Sequence, residues 1–244
     1  MGEYKAKILL LVEGAKTDVE VMNQLLKVYG ISERHEIVSY NTNIYNLYKA
    51  LFRENDPETV DILQLLKSKE KDVEKKLIFD ERYSDILLVF DLDPQDSDYS
   101  PEIIKKLLGY FNESSENGKL YLNYPMVESF YHMRSIPDPN YYTYKATIAE
   151  LKAKSYKTRV HRESRNNKFE LFAVDRAECN QVIKQNINKS NMITHGYVID
   201  KEEPASSDEI FSVQAECIKA EDRLYVLCTC VFYIYDYNPK LIAE

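Results

Sequence analysis

The sequence predicts an α/β fold, with a mostly parallel central sheet followed by a mainly helical C-terminal region. Two apolar runs, KILLLV at 7–12 and the centre of SDILLVFDLD at 84–93, are typical of strands buried on both faces of a parallel sheet. TDVEVMNQLLKVYG at 17–30 carries apolar residues at helical spacing and ends in a glycine, as a helix commonly does. Strands that alternate with amphipathic helices indicate an α/β sheet.

The elements up to about residue 136 continue this alternation. HEIVSY at 35–40 predicts a second strand, and NIYNLYKALFREN at 43–55 and ETVDILQLLKSKEKDVEKKL at 58–77 predict two amphipathic helices. Beyond the strand at 84–93 we expect three further elements: a helix in PEIIKKLLGYFNE, a short strand in KLYLN, and a helix that opens near YPMVESFYHM. We therefore assign residues 1–136 to one α/β domain.

The remaining residues, 137–244, are predicted to form a basic and helical region that packs on this domain. The segment DEIFSVQAECIKAEDRLYVLCTCVFYIYDYN at 208–238 has enough apolar residues for a helix buried on most sides. The four cysteines lack metal-type spacing, which favours buried, reduced thiols. No apolar run approaches the roughly 20 residues of a membrane span, so we expect a cytoplasmic protein that does not enter a membrane.

Acidic residues follow two of the predicted core strands. Glu13 and Gly14 close the first strand, and Asp91 and Asp93, two positions apart on a strand, are expected to project to the same face. If these strands are neighbours, three carboxylates meet at the carboxyl edge of the sheet, where α/β proteins bind ligands. Such a set is suited to Mg²⁺ or Mn²⁺. The alternative is structural, because an aspartate at a strand end also caps helices and turns.

The order of these motifs resembles the Toprim domain of topoisomerases, primases and several nucleases, a Rossmann-like fold in which one strand ends in Glu-Gly and a later one in Asp-x-Asp. LLVEGAKTD at 10–18 and LLVFDLD at 87–93 match both halves. The first motif is similar to the Glu-Gly-x-Lys-Thr-acid of OLD-type and RloB-like proteins of bacterial anti-phage defence. NYPMVESFYHM resembles the Asn-Pro segment of the RloB-like group, with Tyr124 interposed. The resemblance covers about residues 5–135.

The resemblance implies a metal-dependent nuclease that acts on DNA or RNA, in which Glu13, Asp91 and Asp93 are catalytic and also hold Mg²⁺ or Mn²⁺. Asp18 and Glu128 are candidates for a second metal position. Proteins of this kind often act with a separate ATPase, and GAKT lacks the glycine spacing of a P-loop. We therefore expect an ATPase partner, and the chain is a candidate homo-oligomer.

A basic segment interrupts an otherwise acidic chain of formal net charge −8. It runs from Lys152 to Lys168 and includes three arginines. Such residues bind phosphates, and Tyr156 among them is a candidate to stack on an unpaired base. The predicted nucleic-acid contacts are Lys16, Lys157, Arg159, Arg162 and Arg165. The same charges equally fit a solvated surface.

Two other functions are open at this stage. One is a Toprim-like module that keeps its acidic residues but serves as a regulatory or nucleic-acid recognition partner without catalysis. The other is a phosphatase of the Asp-x-Asp type. It is disfavoured because that chemistry usually places its nucleophilic aspartate after the first strand, where this chain has Glu13.

Overall fold

In the computed structural model, which describes residues 6–166, 169–197 and 203–243, a five-stranded sheet forms the centre of the fold and a two-stranded sheet lies beside it. The strands are β1 (Lys7–Val12), β2 (His35–Ser39), β3 (Tyr83–Asp91), β4 (Asn112–Glu113), β5 (Gly118–Asn123), β6 (Lys145–Thr147) and β7 (Arg223–Tyr225). The large sheet has the order β2-β1-β3-β5-β4. Its strands are parallel except β4, which is antiparallel to β5, and the predicted mostly parallel sheet is thereby confirmed.

Helices cover the large sheet and make up most of the chain after residue 147. They are α1 (Thr17–Val28), α2 (Ile44–Phe52), α3 (Ile62–Lys69), α4 (Val73–Ile78), α5 (Pro101–Tyr110), α6 (Ile148–Lys152), α7 (Tyr156–Glu163), α8 (Arg176–His195), α9 (Ser207–Glu221), α10 (Phe232–Tyr237) and α11 (Lys240–Ala243). Short 3₁₀ helices occupy Ser32–Arg34, Val127–Tyr131, Tyr141–Thr143 and Phe169–Leu171. Within the described residues, no helix is both long and apolar enough to cross a membrane.

Two helix predictions before residue 137 need correction. The segment 58–77 forms α3 and α4 rather than one helix, because Glu70 is extended and Asp72 caps a new helix by accepting from the backbone N–H groups of Glu74 and Lys75. The helix expected near YPMVESFYHM is a single 3₁₀ segment, Val127–Tyr131.

The predicted long helix at 208–238 is wrong in its middle. Helix α9 ends where Asp222 takes a left-handed conformation with φ of 51°, and β7 then pairs with β6. Leu227 continues away from the helix and exchanges two backbone hydrogen bonds with Tyr124, of 2.8 and 2.9 Å. The apolar residues between α9 and α10 are buried in extended and irregular backbone.

Asn123, the last residue of β5, ties this C-terminal segment to the sheet. Its side-chain Oδ1 accepts from the backbone N–H groups of Thr229 and Cys230, both at 3.2 Å, and Asn123 is fully buried. Two backbone donors therefore depend on one side-chain oxygen.

Asn123→Ala is expected to lower the melting temperature by about 3–10 °C, because two buried backbone donors lose their acceptor. Thermal unfolding followed by circular dichroism measures this. Asn112→Ala, on the exposed strand β4, is the matched control and should change stability by less than about 0.5 kcal/mol. Equal melting of both variants would contradict the role given to Asn123.

Candidate functional site

Glu13 and Asp91 meet at the carboxyl edge of the sheet, as predicted from the two strand ends. Strands β1 and β3 are parallel neighbours with Val12 opposite Val89, and the backbone N–H of Glu13 donates to the carbonyl of Val89 at 3.0 Å. The Glu13 carboxylate in turn accepts from the backbone N–H of Asp91 at 3.1 Å.

Asp93 also lies at the carboxyl edge of the sheet, but it is not part of the strand on which it was predicted. Strand β3 ends at Asp91, so Asp93 is not on the strand. It takes a left-handed conformation with φ of 43°, and its backbone N–H donates to the carbonyl of Pro125 at 3.3 Å. The Gln95 side chain donates to Asp93 Oδ1 at 2.9 Å and orients the carboxylate. Sequence reasoning missed Gln95, although it lies within the DLDPQD segment.

Asp18 lies in the first turn of α1, next to the carboxyl edge of the sheet, and is 6% exposed. The backbone N–H of Gly14 lies close enough to act on the pKa of the Asp18 carboxyl group, against the larger effect of burial. A Cβ atom at Gly14 would lie 2.4 Å from Asp18 Oδ2, closer than real atoms approach. The glycine after Glu13 is therefore needed for Asp18 to face the site.

These four carboxylates line one cavity of about 350 Å³, here called the acid cavity: Glu13, Asp18, Asp91 and Asp93. Lys154, Tyr156 and Lys157 also line it. Glu128, in the 3₁₀ helix Val127–Tyr131, does not line the cavity but lies behind it and is 3% exposed. Its Oε1 binds Lys157 Nζ at 2.8 Å, so Lys157 connects Glu128 to the other acids.

Burial dominates the electrostatics of the acid cavity. It raises the pKa of Glu13 to about 8, with Asp93 and Asp18 adding to the effect and the hydrogen bond from Asp91 opposing it. Burial also raises the pKa of Asp91 well above its usual range and raises the pKa values of Asp18 and Asp93. Neighbouring carboxylates cannot all be ionised in such surroundings without cations, so protons or positive charge must be present.

Lys157 supplies part of that charge. Burial acts to lower the pKa of Lys157, but Glu128, Asp91 and Asp18 outweigh it and hold this pKa above its usual range. The ammonium group is therefore charged at neutral pH.

Three carboxylate oxygens at the site are buried and have no hydrogen-bond partner among the described residues. They are Asp18 Oδ1, Asp91 Oδ1 and Glu128 Oε2. Buried polar atoms are normally paired, and carboxylate oxygens in this state are the donors that Mg²⁺ and Mn²⁺ prefer. The chemistry of the donor set thus fits a divalent cation.

The present arrangement of these side chains is not that of a metal site. In the described part of the chain, no group of three or more His, Cys, Asp or Glu side chains is placed to hold a metal ion. One oxygen of Glu13 and one of Asp93 accept hydrogen bonds from donors of this chain instead. Metal binding would require side-chain rotation at the edge of the sheet.

The predicted nucleic-acid contacts are dispersed. Lys16 is exposed in the turn between β1 and α1, and the Arg162 side chain is 73% exposed on α7. Arg159 is held by Glu150 at 3.0 Å, and Arg165 by Glu178 at 2.6 Å. Lys168 lies outside the described residues.

The expectation that Tyr156 could stack on a base is wrong. It is 1% exposed, and its hydroxyl lies 3.2 Å from Nδ1 of the fully buried His132. Burial lowers the pKa of His132 to about 4 despite the hydrogen bond that its Nε2 makes to the Glu163 carboxylate, so this histidine is neutral at physiological pH. The rings of His132 and Tyr156 pack edge to face, with their centroids 5.5 Å apart.

No family model matches the chain, and neither a curated protein nor a solved structure matches it. The likeness to Toprim domains therefore rests on the order and spacing of the motifs.

The metal-free protein is expected to lose stability as pH rises from 6.5 to 8. A carboxyl group whose pKa is raised by folding stabilises the protein below its unfolded pKa, and this contribution is lost as pH approaches the folded value, about 8 for Glu13. Melting temperatures measured in EDTA across this range should fall for the wild type and fall less for Glu13→Gln, which keeps the acceptor for Asp91 but cannot ionise. Glu116→Gln, at an exposed position, is the control. Parallel curves for wild type and Glu13→Gln would contradict the assignment.

Proposed function

We propose that the chain is a nuclease that cleaves phosphodiester bonds with Mg²⁺ or Mn²⁺. The observation that carries this proposal is the set of buried carboxylate oxygens without partners at the carboxyl edge of a parallel sheet, Asp91 Oδ1 foremost. Glu13, Asp91 and Asp93 would hold the cation, and Asp18 is placed to contribute. Glu128, which does not line the cavity, would act on the bound cation through its charge alone.

The roles of the side chains follow from their surroundings. A bound divalent cation would polarise a phosphoryl oxygen, activate water and compensate charge on the leaving oxygen. Without a bound cation, burial raises the pKa of Glu13 to about 8, so its carboxyl group is suited to hold or release a proton near neutral pH. Lys157 lies at the mouth of the cavity, where its ammonium group would attract a phosphate.

The motif order supports a more specific proposal. A strand that ends in Glu-Gly lies beside a strand followed by Asp-x-Asp, as the Toprim resemblance requires. We extend the proposal to a cytoplasmic effector of bacterial anti-phage defence that acts on DNA or RNA with a separate ATPase. A homo-oligomer is compatible with this arrangement.

Nucleic-acid contact is proposed for the exposed cations. Three cations of the predicted set are accessible to phosphates. Lys16 is exposed, and the side chains of Lys157 and Arg162 are 61% and 73% exposed. Arg159 and Arg165 are less exposed and bind acidic residues, so a phosphate would have to compete with those ion pairs.

A non-catalytic regulatory or recognition module is the second candidate. It is favoured by one observation, that the acidic side chains are partly satisfied by this chain's own donors and by Lys157. In that case the acid cavity would serve only as a charged structural feature.

Asp91→Asn and Asp93→Asn are each expected to reduce cleavage by at least about 100-fold, because Asn retains the size of Asp but removes charge that holds a divalent cation. The assay follows labelled DNA and total cellular RNA with Mg²⁺ or Mn²⁺, with and without the products of neighbouring genes. Asp85→Asn, on the same strand at its opposite end, is the matched control and should cleave like the wild type. Absence of cleavage by the wild type in every condition, or equal cleavage by Asp91→Asn, would favour the non-catalytic module.

A further inference from the structure

Lys157 is placed where a cation bound in the acid cavity would act. Its ammonium group lies 2.8 Å from Glu128 Oε1, and its charge acts on Glu13, Asp18 and Asp93 as well. Positive charge in this position stabilises ionised carboxylates that burial would otherwise force to take up protons. Lys157 thus stabilises the ionised carboxylates, as a bound divalent cation would.

The backbone of Lys157 is fixed while its side chain is not. Helix α7 is anchored on both sides of Lys157, by the buried Tyr156 and by Arg159, which binds Glu150 at 3.0 Å and the carbonyl of Lys145 at 2.8 Å. The Lys157 side chain itself is 61% exposed. If the bond to Glu128 were broken, the ammonium group could turn into solvent by rotation of the side chain alone, without movement of the helix.

Glu128, the acceptor in this ion pair, and the nearby acid Asp91 are both buried. Glu128 is 3% exposed and Asp91 9% exposed, and each has a buried oxygen without a partner among the described residues. If a divalent cation entered the cavity, Lys157 would be the side chain that moves, because it is the exposed partner of the ion pair and like charges repel at short range.

We propose that Lys157 is a built-in counter-ion of the acid cavity, and that a divalent cation displaces it, so that the Lys157–Glu128 ion pair and cation binding oppose each other. This inference rests on the metal site of the proposed function. By linkage, the ion pair weakens cation binding by the same factor by which the bound cation weakens the ion pair. The ion pair then sets the cation concentration at which the site fills.

The test compares wild type, Lys157→Gln and Lys154→Gln. Lys154 lines the same cavity, so its variant removes an equal charge nearby and serves as the control. Two quantities are measured at low ionic strength: Mn²⁺ affinity by titration calorimetry, and melting temperature in EDTA and in Mn²⁺. Neither depends on nuclease activity.

Lys157→Gln is expected to bind Mn²⁺ at least about fivefold more tightly than the wild type, the lower end of ordinary coupling between two ligands. Its melting temperature should be lower than that of the wild type in EDTA, with the difference reduced or removed in saturating Mn²⁺. Lys154→Gln should show a smaller change in both. The difference in affinity should shrink in high salt, because an exposed ammonium group is screened.

Equal or weaker Mn²⁺ binding by Lys157→Gln would overturn the counter-ion role and leave the proposed nuclease intact. An equal effect from Lys154→Gln would also overturn it, since general electrostatics would then explain the result. Absence of Mn²⁺ binding by all three proteins would refute both the counter-ion role and the metal site. Binding by Lys157→Gln alone would be the strongest support.

Discussion

The structure depends on how buried negative charge is tolerated at one edge of the central sheet. Four carboxylates line the acid cavity, a fifth lies behind it, and Asp91 among them is almost fully removed from solvent. Their burial is costly unless protons or cations neutralise them. Three contacts stabilise these carboxylates: the backbone N–H of Asp91 donates to Glu13, the Gln95 side chain donates to Asp93, and Lys157 forms an ion pair with Glu128.

The same arrangement explains why the site is suited to a function and poorly suited to stability alone. A chain selected only for stability would place apolar residues at the buried positions Asp91 and Asp18. Retaining acids there lowers stability at and above neutral pH, which is the behaviour of groups kept for ligand binding or proton transfer. Asp18 and Asp91 also carry buried oxygens without a hydrogen-bond partner among the described residues. The side chains whose burial lowers stability are therefore the ones proposed to bind the cation.

Local patterns were enough to predict the part of the fold that forms the site. The runs KILLLV and ILLVF identify β1 and β3, and the acids that follow them predict a shared edge because neighbouring parallel strands end together. The sequence correctly predicts Asp93 at this edge, but it does so by placing Asp93 on the strand. Asp93 follows the strand in a left-handed conformation, which strand periodicity does not predict. The ion pair of Lys157 with Glu128, which joins α7 to the 3₁₀ helix Val127–Tyr131, depends on tertiary packing. The non-helical segment after α9 was missed because apolar density alone does not distinguish a buried helix from a buried irregular segment.

Diffraction at the manganese absorption edge tests most directly whether the acid cavity binds a divalent cation. Crystals of the full chain grown with Mn²⁺ near pH 8 should show a strong anomalous peak in the cavity, about 2.1 Å from oxygens of Asp91 and at least one of Glu13 and Asp93. Rotation of the Glu13 or Asp93 carboxylate away from its present donor should accompany the peak. An ordered cavity without an anomalous peak, with Glu13 still bound to the N–H of Asp91 and Lys157 still bound to Glu128, would contradict the account.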